Sequence, residues 1–301
     1  MNSTTIIIVT FNAMSWIDHC LKSCGNYPII VVDNASTDAT FAYIQATYPN
    51  VIILPQTENL GFGQGNNVGI TYALKQGAEH VFLLNQDAYL QINCLNVLIK
   101  KQQEYPQYGV LSPVHLNGKG DALDYNFKNF VKRSKGFLID SLFLKNNLSP
   151  EIVDIDFVNA ASWLISKECL KKVGGFNPYF FQYGEDRDFV NRVLFHKCKL
   201  GIVSNVYVKH DRNQSDSKKK KEMIDRLLLE IKLFDLNDNF SFDQLIQKHK
   251  KAILKSLIKF RFKEFNNCCK LYVYFRQKKT VINHYKNSLK SQKEFLFIEL
   301  L

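Results

Sequence analysis

Val31-Val32-Asp33-Asn34-Ala35-Ser36-Thr37-Asp38 decides the fold of this chain, because an apolar run ends in a carboxylate and passes directly into a helix-capping sequence. The run predicts a buried strand, and the hydroxyl and acid residues after it are typical of a helix start. A carboxylate at a strand end can accept hydrogen bonds from the N–H edge of a pyrimidine base or from ribose hydroxyls. Alternatively, Asp33 and Asn34 do nothing more than cap the connection.

The same alternation of apolar runs and helical patterns continues through the first half of the chain. The strand candidates are Thr5–Thr10, Ile29–Asp33, Val51–Leu54, His80–Leu84 and Val110–Pro113. The helix candidates are residues 15–24, 38–48, 64–76 and 93–104. Alternation at this spacing predicts a parallel α/β sheet, and ligands of such sheets bind beyond the carboxyl ends of the strands.

Two further polar clusters follow predicted strands, Phe11-Asn12-Ala13 and Asn85-Gln86-Asp87. Clusters at one edge of the sheet predict one shared site. Asp87 could hold a divalent cation that neutralises a diphosphate leaving group. The ligand set is small, since Asn85 is neutral and a lone strand-end aspartate is unspecific.

Residues 59–69 are rich in glycine, with Gly61, Gly63, Gly65 and Gly69 at the start of a predicted helix. Asp87 follows at about the distance expected of a dinucleotide-binding fingerprint, but the glycine spacing is wrong for one and a polar loop separates the helix from its strand. Two interpretations stay open: a helix packed closely on a sheet, and direct contact with a ligand.

A second ordered block covers residues 152–210. It contains a predicted strand (Phe157–Ile165), a helix start (Lys167–Val173), a Gly-Gly turn (174–175), a helix near Glu185–His196 and short strands around Gly201–Val208. The less regular residues 114–150 before it are interpreted as a variable loop region, and residues 211–221 after it as a solvated linker.

The stretch Gly174–Phe189 is the most informative for chemistry, because an aromatic loop leads into an acidic helix start. Asp186 or Glu185, behind aromatic residues that exclude water, could act as a general base toward an acceptor hydroxyl. The alternative is that these acids only complement the helix dipole. Asp188 and Arg192 have the spacing of a helix-surface ion pair.

His210 follows the last predicted strand of this block. Its imidazole could complete the ligand set of a metal, although a lone histidine is more often an ordinary surface residue.

The charge is distributed unevenly. Residues 1–211 contain 18 Lys/Arg and 18 Asp/Glu, whereas residues 212–301 contain 21 and 10, so the net charge of +11 lies entirely in the last part. This predicts two domains, at 1–211 and 212–301, the second basic and mainly helical.

An amphipathic basic helix is predicted at residues 244–262. Leu245, His249, Ile253, Leu257, Phe260 and Arg261 lie near one face, and lysines fill much of the remainder. Such a helix could lie on an anionic membrane surface or dock its apolar face on the catalytic domain. No nucleic-acid partner is expected, because no recognised binding motif accompanies the charge.

No stretch reaches the roughly 18 apolar residues that cross a bilayer, and the seven scattered cysteines form no disulfide or zinc pattern. The expected location is the cytoplasm, and the membrane alternative for the basic helix would add peripheral attachment to the inner face of the plasma membrane.

Taken together and in order, these motifs resemble the family 2 glycosyltransferases of the GT-A fold, especially rhamnosyltransferase-like members, over about residues 4–212. The matching segments are Val9–Asn12, Val32–Asp38, Asn59–Asn67, Leu84–Asp87, Gly174–Phe176 with Gly184–Asp186, and His210. The resemblance implies a mixed α/β sheet of the GT-A type, here followed by the basic helical extension.

The resemblance also implies roles for individual residues. Asp186 would be the catalytic base, with Glu185 as its neighbour, and Asp87 and His210 would hold Mg²⁺ or Mn²⁺. The residues assigned to the nucleotide-sugar pocket are Thr10, Phe11, Asn12, Asp33, Asn34, Asn66, Asn85, Gln86 and Trp163. Many relatives have aspartate where this chain has Asn85, which weakens the expectation of strong metal binding.

The implied activity is that of an inverting glycosyltransferase of the hexosyltransferase type. A sugar linked to dTDP or UDP, with rhamnose as a candidate, would move to a hydroxyl of a surface glycan or a lipid-linked acceptor during polysaccharide or cell-wall synthesis. The alternatives are an α/β protein that binds nucleotide sugar or nucleic acid without catalysis, and a nicotinamide oxidoreductase.

Overall fold

The computed structural model describes residues 4–134, 151–211, 218–291 and 293–300. The chain forms two compact units, Met1–Gln214 with Glu294–Leu301, and Ser215–Lys293. The predicted boundary after Asp211 lies close to the first division. The C-terminal residues that the sequence analysis assigned to the extension instead return to the first unit, where Gly175 N–H donates to the Leu296 carbonyl at 2.7 Å and Ile298 joins the core.

The described residues of the first unit form one sheet of nine strands. The strands are β1 (Thr4–Thr10), β2 (Ile29–Asp33), β3 (Ile52–Pro55), β4 (His80–Leu84), β5 (Ala88–Leu90), β6 (Tyr108–Asn117), β7 (Ile152–Asp154), β8 (Ser162–Ser166) and β9 (Lys199–His210). Their order is β3-β2-β1-β4-β8-β6-β9-β5, with β7 also paired to β9. Strands β1 to β4 are parallel, whereas β8 runs antiparallel to both β4 and β6, so the sheet is mixed.

Helices cover both faces of this sheet. They are α1 (Ile17–Ser23), α2 (Thr40–Thr47), α3 (Gly61–Lys75), α4 (Cys94–Glu104), α5 (Tyr125–Ser134), α6 (Lys167–Val173) and α7 (Glu185–Phe195). Because successive strand residues point to opposite faces, Ile7 of β1 enters one hydrophobic core while Ile6 and Ile8 enter the other. Burial on both faces explains why the parallel strands read as continuous apolar runs.

The glycines of α3 let its backbone approach the sheet. A Cβ at Gly65 would lie 2.9 Å from a methyl of Val9, and one at Gly69 would lie 2.4 Å from a methyl of Ile7. Helix α3 therefore packs closely on β1, which is one of the two interpretations that the sequence left open.

Several predicted elements differ in extent from those observed. The strand predicted at Phe157–Ile165 begins only at Ser162, and the short strands around Gly201–Val208 are one strand, β9. The variable region 114–150 contains the end of β6 and helix α5, while its residues 135–150 lie outside the described residues. Residues 212–217 of the predicted linker also lie outside them.

The second unit consists of the helices α8 (Lys218–Phe234), α9 (Phe242–Ile258) and α10 (Phe262–Lys290). Ser241 and Gln244 form a capping box that starts α9. Helices α9 and α10 are antiparallel, since Lys279 lies over the Phe242 ring at one end and His249 packs on Phe275 further along. Among the described residues, no helix combines the length and apolar character needed to cross a membrane.

Candidate active site

The ends of β1 and β2 meet at Asp33. Thr10 and Asp33 are register partners, and the Thr10 hydroxyl donates to Asp33 Oδ1 at 3.1 Å. The Ser36 N–H donates to the other carboxylate oxygen at 3.2 Å. Asp33 is buried, and both of its carboxylate oxygens accept hydrogen bonds. These bonds orient the carboxylate at the edge of the sheet.

Asn12 ties the end of β1 to the start of α2. It adopts a left-handed conformation with φ of 51°, which asparagine tolerates better than most residues. Its N–H donates to Ser36 Oγ at 3.0 Å, and its side-chain oxygen accepts from the Thr37 N–H at 2.8 Å. The loop after β1 is thus held in one conformation before any ligand arrives.

Gln86 clamps the peptide of Phe11 on the other side. The Phe11 N–H donates to Gln86 Oε1 at 2.8 Å, and Gln86 Nε2 donates to the Phe11 carbonyl at 3.2 Å. Phe11 itself is 43% exposed, so it is accessible from solvent beside the strand ends. Thr10, Phe11, Asn12, Asp33 and Gln86 are named below as the nucleotide half of the site.

Asp87 and His210 lie side by side where β4 and β9 end. Pairing of β5 with β9 places Ala88 opposite His210, and His210 Nε2 lies 3.3 Å from Asp87 Oδ1. The side-chain amide of Asn85 lies 3.5 Å from the same nitrogen. Asn85 Oδ1 is buried and has no hydrogen-bond partner among the described residues.

Asp124 approaches the other side of the same imidazole and was missed by the sequence analysis. Its Oδ2 lies 3.9 Å from His210 Nδ1, while its Oδ1 accepts the Phe127 N–H at 2.9 Å at the start of α5. Both Asp124 and His210 are almost fully buried. The sequence signal was an ordinary helix-capping aspartate, which does not reveal its second neighbour.

The residues at the end of β4 fit a divalent cation in part. Asp87 and His210 supply a carboxylate and an imidazole, and the buried, unpartnered Asn85 Oδ1 is a third oxygen. Within the described ranges, no group of three His, Cys, Asp or Glu residues has the arrangement of a metal site. Mg²⁺ is commonly held by one or two carboxylates together with substrate phosphates and water, so this donor set fits a cation that arrives with a diphosphate.

Asp186 lies in the first turn of α7, behind Gly184, whose φ of 95° turns the chain into the helix. Burial raises the pKa of Asp186 to about 6. The Arg187 backbone N–H donates to Asp186 Oδ1 at 2.7 Å and acts to lower this pKa. The backbone N–H of Ala160 lies near this carboxylate and also acts to lower its pKa. The next residue, Ala161, accepts the Asn85 N–H at 2.9 Å, so one short loop connects Asp186 to the end of β4.

Glu185 is more deeply buried than Asp186. It packs against α3 at Gly63, where an added Cβ would lie only 3.3 Å from the Cβ of Glu185. Burial, with the nearby charge of Asp186 as the second cause, raises the pKa of Glu185 to about 8. Its Oε2 has no hydrogen-bond partner in the part of the chain that the structure describes. Glu185 and Asp186 are named below as the base half of the site.

The aromatic loop before α7 presents two rings to solvent. Phe181 is 53% exposed and Tyr183 is 50% exposed, whereas Phe180 is buried. A Cβ at Gly61 would lie 2.0 Å from the Phe181 carbonyl oxygen, so the start of α3 touches this loop directly. Gly61 and Gly63 therefore bring the glycine-rich segment against the loop and the base half.

Three residues assigned to the nucleotide-sugar pocket have structural contacts instead of open side chains. The Asn34 amide holds the loop at residues 59–61, accepting the Leu60 N–H at 2.8 Å. Asn66 donates to the Phe62 carbonyl within α3. Trp163 is fully buried and packs on Phe176 and Phe189 in the core, so the structure gives it a packing role.

The predicted surface pair of Asp188 and Arg192 is wrong in its location. Both residues are buried, and Arg192 Nε donates to Asp188 Oδ2 at 3.0 Å. The guanidinium also donates to the carbonyls of Val173 and Gly175, so each of its three nitrogens has an acceptor. The pair anchors the Gly-Gly turn to α7 and is not available to a substrate.

Family models match most of the first unit. The model described as glycosyl transferase family 2 matches residues 5–173, and the model described as the N-terminal domain of galactosyltransferase matches residues 161–214. The two matches together span the segments that carry the strand ends and the base half.

Two characterised relatives are similar in sequence. The low-salt glycan biosynthesis hexosyltransferase Agl10 of Haloferax volcanii is 25% identical over 262 residues, 86% of this chain and 82% of that protein. The N-acetylglucosaminyl-diphospho-decaprenol L-rhamnosyltransferase of Mycobacterium tuberculosis is 24% identical over 199 residues. That match covers 60% of this chain and 63% of the relative, so it spans less than two thirds of the mycobacterial protein.

Solved structures share the fold. The mannosyltransferase PcManGT of Pyrobaculum calidifontis, in complex with GDP-Man and Mn²⁺, aligns with a TM-score of 0.59 at 17% identity, covering 96% of this chain and 86% of that one. The S. aureus TarS fragment 1–349 with UDP-GlcNAc aligns with a TM-score of 0.54 at 15% identity, covering 96% and 90%. At these identities the likeness establishes a GT-A fold and nothing finer.

Proposed function

Since this chain belongs to glycosyl transferase family 2, we propose that it transfers a sugar from a nucleotide diphosphate to an acceptor hydroxyl with inversion at the anomeric carbon. Membership makes the chain a glycosyltransferase. The donor, the acceptor and the stereochemical course are the content of the proposal.

The observation that carries the proposal is the difference between two neighbouring carboxyl groups. Burial raises the pKa of both Asp186 and Glu185 above the ordinary range of a carboxyl group, and Glu185 is the more deeply buried of the two. A general base works best when its pKa lies close to the operating pH. We therefore assign the more accessible Asp186 as the base, with the buried Glu185 as its neighbour.

The reaction follows from this assignment. Asp186 takes the proton of the acceptor hydroxyl as that oxygen attacks the anomeric carbon. The bond between the anomeric carbon and the diphosphate oxygen breaks in the same step, and its electron pair leaves with the diphosphate. A single displacement of this kind inverts the anomeric configuration and forms no covalent bond to the enzyme.

The donor is proposed to lie along the nucleotide half. The Asp33 carboxylate would accept hydrogen bonds from the base or ribose, with the partly exposed Phe11 beside the base. We propose a UDP- or dTDP-linked hexose, with rhamnose as a candidate because the mycobacterial relative is named an L-rhamnosyltransferase.

A divalent cation is proposed to be held by Asp87 and His210, with Asn85 Oδ1 beside them. When bound, Mg²⁺ or Mn²⁺ would neutralise the negative charge that develops on the diphosphate. Asp124 is proposed as a positioning residue, because its carboxylate lies 3.9 Å from His210 Nδ1 and its negative charge there favours a proton on Nδ1, which leaves Nε2 free to bind the cation.

The acceptor is proposed to be a surface glycan or a lipid-linked glycan, used in polysaccharide or cell-wall synthesis. The names of the two relatives support this, since one acts in glycan biosynthesis and the other on a diphospho-decaprenol compound. The basic second unit supports a peripheral position at the inner face of the plasma membrane.

Selective donor binding and the stereochemistry of the product test this proposal. The full chain with Mn²⁺ would be screened for thermal stabilisation by UDP-, dTDP- and GDP-sugars and by NAD. The stabilising sugar would then be supplied with glycan acceptors, and the product's anomeric configuration read by NMR.

We expect one nucleotide sugar to raise Tm and to give an inverted product. Retention of configuration would exclude the single displacement. A sugar nucleotide that stabilises the protein but is never turned over would favour the binding-only alternative, and stronger stabilisation by NAD would favour the oxidoreductase.

A further inference from the structure

The second unit exposes a cluster of large apolar side chains where α9 ends and α10 begins. We call this cluster the apolar corner: Leu254 (59% exposed), Leu257 (49%), Ile258 (67%), Phe260 (78%) and Phe262 (67%). Single exposed apolar residues are common on soluble proteins, but a contiguous group of this kind marks an interaction surface.

The apolar corner is not the face that holds the helices together. Leu245, His249 and Ser256 of α9 are the residues buried in the hairpin, and His249 packs on Phe275 of α10 at 5.9 Å. The hairpin therefore already has its core, and the residues of the corner point away from it.

Phe260 is held in a strained conformation. Its φ is +51°, and Arg261 N–H donates to the Ser256 carbonyl while Phe260 N–H donates to that of Leu257, the hydrogen bonds of a Schellman helix end. Glycine is the usual residue at this position, because a side chain in the left-handed region is costly. The conformation ends α9, which glycine would do without strain, yet the residue here is an aromatic one that is 78% exposed. Such strain at an exposed side chain points to function.

The sequence around the corner is predominantly basic. No acidic residue occurs between Asp243 and Glu264. That stretch contains the exposed basic residues Lys248, Lys250, Lys251, Lys255, Lys259, Arg261 and Lys263. Arg261 forms an ion pair with Glu264 at 3.2 Å, so most of the positive charge near the corner comes from the lysines.

We propose that the apolar corner inserts into the headgroup region of a bilayer rich in anionic lipid, with the surrounding lysines on the lipid phosphates. A bilayer fits better than a protein partner for two reasons. The corner is the tip of a helical hairpin instead of a groove, and lysine is depleted from protein–protein interfaces but favoured beside anionic lipid. This inference deepens the proposed membrane association and does not depend on the chemistry at Asp186.

Phe260→Gly separates membrane binding from folding. Glycine relieves the strain at this position, so we expect Tm of the full chain to stay unchanged or to rise. Loss of the ring is expected to weaken sedimentation with vesicles of phosphatidylcholine and phosphatidylglycerol by about tenfold or more. Ile92→Ala is the matched control, because Ile92 is 92% exposed in the first unit and should leave vesicle binding unchanged.

Lys255→Glu with Lys259→Glu tests the charge. Each reversed lysine near an anionic surface is expected to cost about fivefold or more in affinity, and the preference for anionic over pure phosphatidylcholine vesicles should disappear. Donor hydrolysis with a soluble nucleotide sugar should be unchanged in every corner variant, so a failure of the transferase proposal is seen separately from a failure of this one.

Equal vesicle binding by the wild-type chain and Phe260→Gly would overturn the inference. So would a wild-type chain that ignores anionic vesicles but self-associates in sedimentation velocity, with Phe260→Gly monomeric. That second result would identify another copy of this chain as the occupant of the corner.

Discussion

The carboxyl groups in the two halves of the candidate site differ in their hydrogen bonding. In the nucleotide half, both oxygens of Asp33 accept hydrogen bonds, one from Thr10 and one from Ser36. In the base half, Glu185 Oε2 has no partner among the described residues, and burial raises the pKa of both Glu185 and Asp186.

This difference matches two kinds of work. A carboxylate that accepts hydrogen bonds from the protein is fixed in place and suits recognition of a base or ribose. A desolvated carboxyl group binds a proton more readily than in water and suits proton transfer. The proposed function accordingly assigns donor binding to the hydrogen-bonded Asp33 and proton transfer to the desolvated pair Glu185 and Asp186.

Asp186→Asn gives the largest expected effect. The amide cannot accept the acceptor's proton, so we expect transfer to fall by about 10²–10⁴-fold while nucleotide affinity is unchanged. Parallel transfer assays and calorimetric titrations with the nucleoside diphosphate measure both. Asp156→Asn is the control, because Asp156 is exposed and lies in the segment before the Ala160 loop. Unchanged transfer in Asp186→Asn would remove the base assignment.

Asp87→Asn has the second-largest expected effect and tests the proposed binding of a cation by Asp87. Without the carboxylate, only His210 and neutral oxygens remain, and we expect Mn²⁺ affinity in the presence of nucleoside diphosphate to fall by about 100-fold. Electron paramagnetic resonance of free Mn²⁺ reports the affinity directly. An exposed aspartate, Asp121, provides the matched control as Asp121→Asn. Equal Mn²⁺ binding by both variants would place the cation elsewhere.

Asp124→Asn has a smaller expected effect, since Asp124 acts through His210. Asparagine caps a helix as well as aspartate does, so α5 and Tm should be retained. Loss of the charge beside the imidazole is expected to weaken Mn²⁺ binding by about 10–100-fold. The same Mn²⁺ titration is the readout, and stronger binding by Asp124→Glu than by Asp124→Asn would show that the charge is what matters. Unaltered Mn²⁺ affinity in the asparagine variant would reduce Asp124 to a helix cap.

Glu185→Gln tests the base half through stability. The folded chain keeps the Glu185 proton up to pH about 8, while the ordinary pKa of 4.5 applies after unfolding. Between those values the folded state binds more protons, so stability falls as pH rises, by at most about 1.4 kcal/mol per pH unit. We expect the glutamine variant to lose much of this slope in urea unfolding measured from pH 5 to 8. An unchanged slope would mean that Glu185 is ionised in the folded protein.

The positions of the polar residues at the strand ends were predictable from the alternation of strands and helices. Parallel strands meet at one edge, so Asp33 and Asp87 were expected near each other, and β9 brings His210 to the same edge because it runs parallel to β6. The motifs of the base half were also readable, since acids at a helix start follow a glycine and an aromatic loop.

The remaining features depend on packing that no local pattern records. Asp124 reaches His210 only because α5 folds from a segment without a readable pattern. Arg192 is buried because the turn at Gly175 offers it carbonyl oxygens, and Trp163 because β8 enters the sheet antiparallel between β4 and β6. The return of Leu296 to the first unit likewise depends on a backbone contact with Gly175.

The central claim is that the nucleotide half and the base half face one bound donor. A crystal structure of the full chain with a nucleoside diphosphate and Mn²⁺ tests it most directly. We expect the diphosphate between Asp87 and Asp186, with Mn²⁺ bound by Asp87 and His210 Nε2. A nucleotide bound away from Asp33, or an Asp186 carboxylate turned away from the diphosphate, would contradict the account.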